Sequence, residues 1–165
     1  MKTIIIGLGN PILCDDSVGP RAARLIGQRL GAGYSPYNED ILVSEAYAGG
    51  LRLLDAIAGY DRAVIIDSIV TGENAPGTIY RLTADGLPQT RNCGSSHDMT
   101  LPMALSMGRA LGMVLPFEIH IWAVEVQDVN TFGEWLSMDV ENALSDVVNG
   151  VLSMCADCKV ESLCV

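Results

Sequence analysis

Apolar positions along the chain follow two rhythms. TIIIGLG (3–9) and AVIIDSIV (63–70) are short runs apolar on both faces, as strands of a sheet covered on both sides must be. ILVSEA (41–46) and FEIHIWAVEV (117–126) read as two further strands. Between them the period lengthens. Val18, Ala22, Leu25, Ile26 and Leu30 recur at helical spacing, which predicts a helix from Ser17 to about Leu30 with Ser17 as its N-cap. Arg21, Arg24, Gln28 and Arg29 make its polar side. Further helices are predicted from Leu51 to about Ala58, stopped by Gly59, and from Met99 to about Leu111, with Pro102 in the first turn. A last helix is predicted from Leu136 to about Cys155.

The segment GTIYRL (77–82) alternates like a strand but follows AVIIDSIV through a short turn-rich stretch, TGENAPG. No helix intervenes, so a parallel crossover cannot be built and this fourth strand should run antiparallel. The expected fold is α/β: a three-layer sandwich of a five-stranded, mostly parallel twisted sheet with helices on both faces. One domain is expected over 1–155, followed by a cysteine-containing tail over 156–165.

Composition narrows the classes. A length of 165 residues suits one domain that needs no metal or disulfide merely to fold. Although 49% of residues are hydrophobic, no run approaches the ~18–20 apolar residues of a membrane helix. MKTIIIGLGN is too soon broken by glycine to read as a signal peptide. A cytoplasmic protein without membrane insertion is therefore expected. The formal charge of −10 disfavours a phosphate backbone as partner.

In such a sheet, ligands lie outside the carboxyl ends of the strands. Asp15 and Asp16 follow the first strand, Asp67 ends the apolar run AVIID, and His97 lies in the loop before the helix at 99. A carboxylate at the end of a buried run needs a cation, a metal or several backbone donors, although a turn or helix cap is the bland alternative. One of the adjacent acids can cap the following helix while the other meets a cation. His120 sits between Ile119 and Ile121, where a structural role is expected. One imidazole with two carboxylates would suit nickel, zinc or cobalt better than magnesium or calcium.

Two rival readings of GLGNPILCDDSVG meet obstacles. A dinucleotide fold needs G-x-G-x-x-G, and the sixth position here is Ile12. Peptidyl-tRNA hydrolases share GLGNP but continue into a histidine-bearing segment that is absent here, and the net charge has the wrong sign for tRNA.

The pattern G-x-G-N-x-x-x-x-D-[DE]-x-x-G, met by Gly7, Gly9, Asn10, Asp15, Asp16 and Gly19, resembles that of the nickel-dependent hydrogenase maturation endopeptidases. EAYAGGLRLLDAI, DRAVIIDSIVTGENAPGTIYRL and SSHDMTLPMALSM follow in that family's order. The resemblance implies removal of a C-terminal peptide from the precursor of a nickel–iron hydrogenase large subunit after nickel insertion. It implies substrate-borne nickel, replaceable by zinc or cadmium, held by Asp16, Asp67 and His97. Gly7, Gly9, Asn10 and Asp15 would support that site. No serine or cysteine nucleophile is expected, since the acids beside Cys14 should raise its thiol pKa. The alternative is a non-catalytic metal- or dinucleotide-binding module on the same fold. Cys155, Cys158 and Cys164 fall outside the family's motif and are expected as thiols of an exposed tail.

Overall fold

The computed structural model describes residues 1–31, 40–47, 49–84 and 100–161, with side chains to 156. The elements run β1 (Thr3–Leu8), a 3-10 turn (Asp15–Ser17), α1 (Val18–Arg29), β2 (Ile41–Ala46) and α2 (Leu51–Ile57). They continue with β3 (Arg62–Ile69), β4 (Ile79–Thr83), α3 (Leu101–Ala110), β5 (Glu118–Glu125) and α4 (Met138–Glu161). The sheet order is β2-β1-β3-β5-β4. β1 pairs in parallel with both β2 and β3, β3 pairs in parallel with β5, and β4 alone is antiparallel, at the edge. The expected fold class is thus the observed one.

Strand alternation sorts the core into two layers. Ile5, Val64, Ile66, Trp122 and Val124 meet α1 and α4 on one face. Ile4, Ile6, Ala63, Ile65, Ile69 and Ile121 meet α2 and α3 on the other. From β1 the chain steps outward to β2, and β3 lies on β1's other side. The carboxyl ends of β1 and β3 therefore flank a switch point, where such sheets open a crevice.

Two expectations about helix ends change, and with them the place of Cys155. Ser17 does not cap α1: it is already in the helical region at φ −76°, ψ −3°, and its hydroxyl donates to the Cys14 carbonyl at 2.7 Å. The preceding 3-10 turn runs straight into the helix, so the extended backbone of a cap never forms. The last helix does not stop near Cys155 but continues to Glu161, since no glycine or proline interrupts ADCKVE. Cys155 consequently lies buried in the core, not in an exposed tail. The Cys158 side chain and Cys164 lie outside the described residues. Among the described residues, no helix is long and apolar enough to cross a membrane.

Candidate functional site

Glycine brings α1 onto the strand ends. A Cβ at Gly7 would stand 2.1 Å from the Gly19 carbonyl oxygen, and one at Gly19 would stand 2.2 Å from the Leu8 oxygen. At Gly9, where φ is +144°, a Cβ would meet the Asp16 oxygen at 2.0 Å. Only glycine permits these approaches. The close contact is with the protein's own backbone, so these glycines bring the turn at Asp15–Asp16 against the sheet. They do not leave the open cradle that a dinucleotide would need.

The same turn is stitched to a second loop. Cys14 N–H donates to Thr131 O at 2.9 Å, Asp15 N–H to Asp128 O at 3.1 Å and Gly133 N–H to Ile12 O at 3.0 Å. The adjacent acids then diverge. Asp15 is wholly buried and accepts hydrogen bonds from the N–H and hydroxyl of Ser137, at 2.6 and 3.0 Å. It therefore anchors the N-terminus of α4, where a negative charge meets unpaired N–H groups. Asp16 turns toward β3. Its Oδ2 accepts from the Asn10 N–H at 2.8 Å and its Oδ1 from the Ser68 hydroxyl at 2.6 Å.

Asp67, beside Ser68 on β3, is half-buried. It accepts the N–H of Ser68 at 2.8 Å. Burial first and the nearby Asp16 carboxylate second push its pKa up to about 7, against the Ser68 N–H, which lowers it. The structure therefore brings Asp16 and Asp67 together around one residue, at the switch point. Their mutual repulsion is what a bound cation relieves, and a set of oxygen donors of this kind fits one. His97 lies outside the described residues. Among the described residues no group of three possible ligands gathers.

Other groups are accounted for structurally. Cys14 is buried, and burial raises its pKa, with Asp15 and Asp128 adding to the effect. That setting does not make a nucleophile. His120 stands on β5 with its Nε2 3.6 Å from Glu118. Glu125, which sequence reasoning passes over, is buried at the end of β5. It accepts from Thr71 N–H and Gly72 N–H, both at 2.9 Å, from the Thr71 hydroxyl at 2.7 Å and from Tyr80 at 2.9 Å. It fixes the TGENAPG connection that leaves β3. The signal that marks Asp67, an acid closing an apolar run, is present at Glu125 too. Ser68 and Ser137 carry no sequence signal of their own.

A family model described as hydrogenase maturation protease matches residues 26–154. A protein of Escherichia coli (strain K12) named hydrogenase 2 maturation protease is 33% identical over 113 residues, which cover 68% of this chain and 66% of that protein. The structure of the E. coli hydrogenase maturating endopeptidase HybD superposes with a TM-score of 0.74 at 25% identity, covering 95% of this chain and 93% of that one. A hydrogenase 2 maturation peptidase of Thaumarchaeota archaeon SCGC_AB-539-E09 gives 0.66 at 22% identity, covering 94% and 99%, a likeness of fold.

Proposed function

The chain belongs to the hydrogenase maturation protease family, whose members are peptide hydrolases, and from that premise we propose that it removes the C-terminal extension of a nickel–iron hydrogenase large-subunit precursor after nickel has been inserted. The observation that carries this reading is the meeting of Asp16 and Asp67 at the switch point, with Asp67 at a pKa of about 7. Two carboxylates held this close without a cation repel each other, and a metal ion arriving with the substrate would remove that repulsion.

In this reading Asp16, Asp67 and His97 hold nickel that the precursor carries. Such an ion can polarise a carbonyl or activate water. The protein supplies the rest. Gly7, Gly9 and Gly19 seat the turn at 15–16, Asn10 and Ser68 hold Asp16, and Asp15 ties the turn to α4. Ile12, Phe132 and Trp135 are exposed on the two stitched loops that carry the turn at 15–16, apolar surface suited to a polypeptide substrate. Recognition through the metal would make nickel insertion a condition of cleavage. The acidic chain favours a protein partner over nucleic acid, and the cytoplasm is the compartment in which it would meet an unprocessed precursor.

The test is the mass of the precursor after incubation with the protein, with and without nickel loading. Shortening of the nickel-loaded form alone is expected. Rapid cleavage of nickel-free precursor would exclude recognition through the metal.

A further inference from the structure

We propose that Ser68 is a positioning residue: its hydroxyl holds Asp16 in place as a ligand and couples it to Asp67 over the carboxyl end of β3. This rests on the metal-binding reading above and deepens it.

The argument starts from strand alternation. Val64 and Ile66 face α1 and α4, whereas Ala63, Ile65 and Ile69 face α2 and α3. By the same parity Ser68 faces the α1 side and Asp67 the opposite side. Asp16 arrives from the α1 side, on the three-residue turn before that helix. Asp67 belongs by parity to the layer of α2 and α3. Ligands approaching from two layers must be gathered over the end of one strand. Ser68 does this with its two donors: the hydroxyl goes to Asp16 Oδ1 at 2.6 Å, and the backbone N–H goes to Asp67 Oδ1 at 2.8 Å.

Ser68 is also 8% exposed, so little water competes for its hydroxyl. Asp16, on a short turn, would otherwise be fixed by the Asn10 N–H through Oδ2. Each carboxylate oxygen has two acceptor sites, so one hydrogen bond per oxygen orients Asp16 and still leaves it able to bind a cation. Partners of this kind hold ligand carboxylates in register, and losing one typically weakens metal binding by about 10–100-fold.

The experiment is calorimetric titration of the metal-free full chain with Ni²⁺ alone, on wild type, Ser68→Ala, Ser68→Thr and Asp67→Asn. Ser68→Ala should bind about tenfold or more weakly while its circular dichroism and melting temperature stay close to wild type. Ser68→Thr, which restores the hydroxyl, should recover most of the affinity, as a purely space-filling role would not require. In the wild-type protein the Ser68 hydroxyl proton should be observable by NMR as slowly exchanging. Wild-type affinity in Ser68→Ala, with binding lost in Asp67→Asn, overturns the role of Ser68 and leaves the metal site standing. A rapidly exchanging hydroxyl also overturns it. No nickel binding by wild type, or unchanged binding by Asp67→Asn, overturns the metal site and this inference together.

Discussion

Asp67 and Glu125 stand two residues apart in register on paired parallel strands, Asp67 opposite Ala123 and Glu125 opposite Ile69. Both follow apolar runs; Glu125 is buried and Asp67 half-buried. Their electrostatics run in opposite directions. Burial alone would raise Glu125, but its donors from Thr71, Gly72 and Tyr80 together hold it below the ordinary carboxylate range. Asp67 has the Ser68 N–H and feels the nearby Asp16 carboxylate, and it is pushed up to about 7. A buried acid given enough donors becomes a structural clamp; one left short of donors beside a second acid becomes a place for a cation or a proton. Burial by itself does not separate the two roles.

Substituting the two acids should pull activity and stability in opposite directions. The largest effect is expected for Asp67→Asn, which should lower precursor processing by at least about 100-fold, because a neutral amide is a poor ligand where a metal stabilises developing charge. Precursor mass against time measures it. The same variant should fold more stably than metal-free wild type at pH 8, by up to about 4 kcal/mol. The sign follows from the raised pKa. The folded state holds the proton more tightly than the unfolded chain, so the contribution of Asp67 to stability is present below the unfolded value of 3.8 and lost as pH rises through about 7. The advantage of Asp67→Asn in denaturant melts should therefore be small near pH 4, grow to pH 7 and then level off. A constant advantage across that range would contradict the assignment.

Glu125→Gln should do the reverse. It leaves donors without a charged acceptor and should cost about 2–3 kcal/mol, a fall in melting temperature of roughly 5–10 °C. Since the folded pKa of Glu125 is lowered, the stability it adds is present above the unfolded carboxylate range and lost as pH falls through the folded value. The penalty of the variant should thus shrink in acid, opposite to the trend at Asp67. Protein that remains folded should still process the precursor.

Asp15→Asn sharpens the same contrast within one turn. It should lose about 1 kcal/mol of capping at α4, visible as a small fall in melting temperature, and should keep processing within about twofold of wild type. The smallest effect is expected for Cys14→Ser. Processing should be nearly unchanged, because a buried thiol with a raised pKa is assigned no part in the chemistry. Loss of activity with the fold intact by circular dichroism would point instead to a cysteine nucleophile.

Much of this was legible in the sequence. Apolar runs and the alternation of GTIYRL located the five strands, and the missing helix between AVIIDSIV and GTIYRL foretold the antiparallel edge strand. Asp67 could be singled out because a charge closes an apolar run. The division of labour between Asp15 and Asp16 could not, because it depends on Ser137, 122 residues away from Asp15, and on Ser68, 52 residues away from Asp16. Nothing in local spacing records such partners. Glu125 carries the same local signal as Asp67, and only the count of donors around it reveals that it is a clamp. The glycines were legible as a motif, but their reason, contact with the backbone at Gly19 and Asp16, is tertiary.

The contrast between the two acids is tested most directly by following both side-chain carboxyl resonances by ¹³C NMR in the metal-free protein from pH 3 to pH 9, then repeating the titration with zinc present. Asp67 should titrate near 7 and Glu125 below the ordinary range. Zinc should displace the proton from Asp67, suppressing its titration near neutrality, and leave Glu125 unchanged. An Asp67 that titrates as an ordinary carboxylate, or that is indifferent to zinc, would contradict the account.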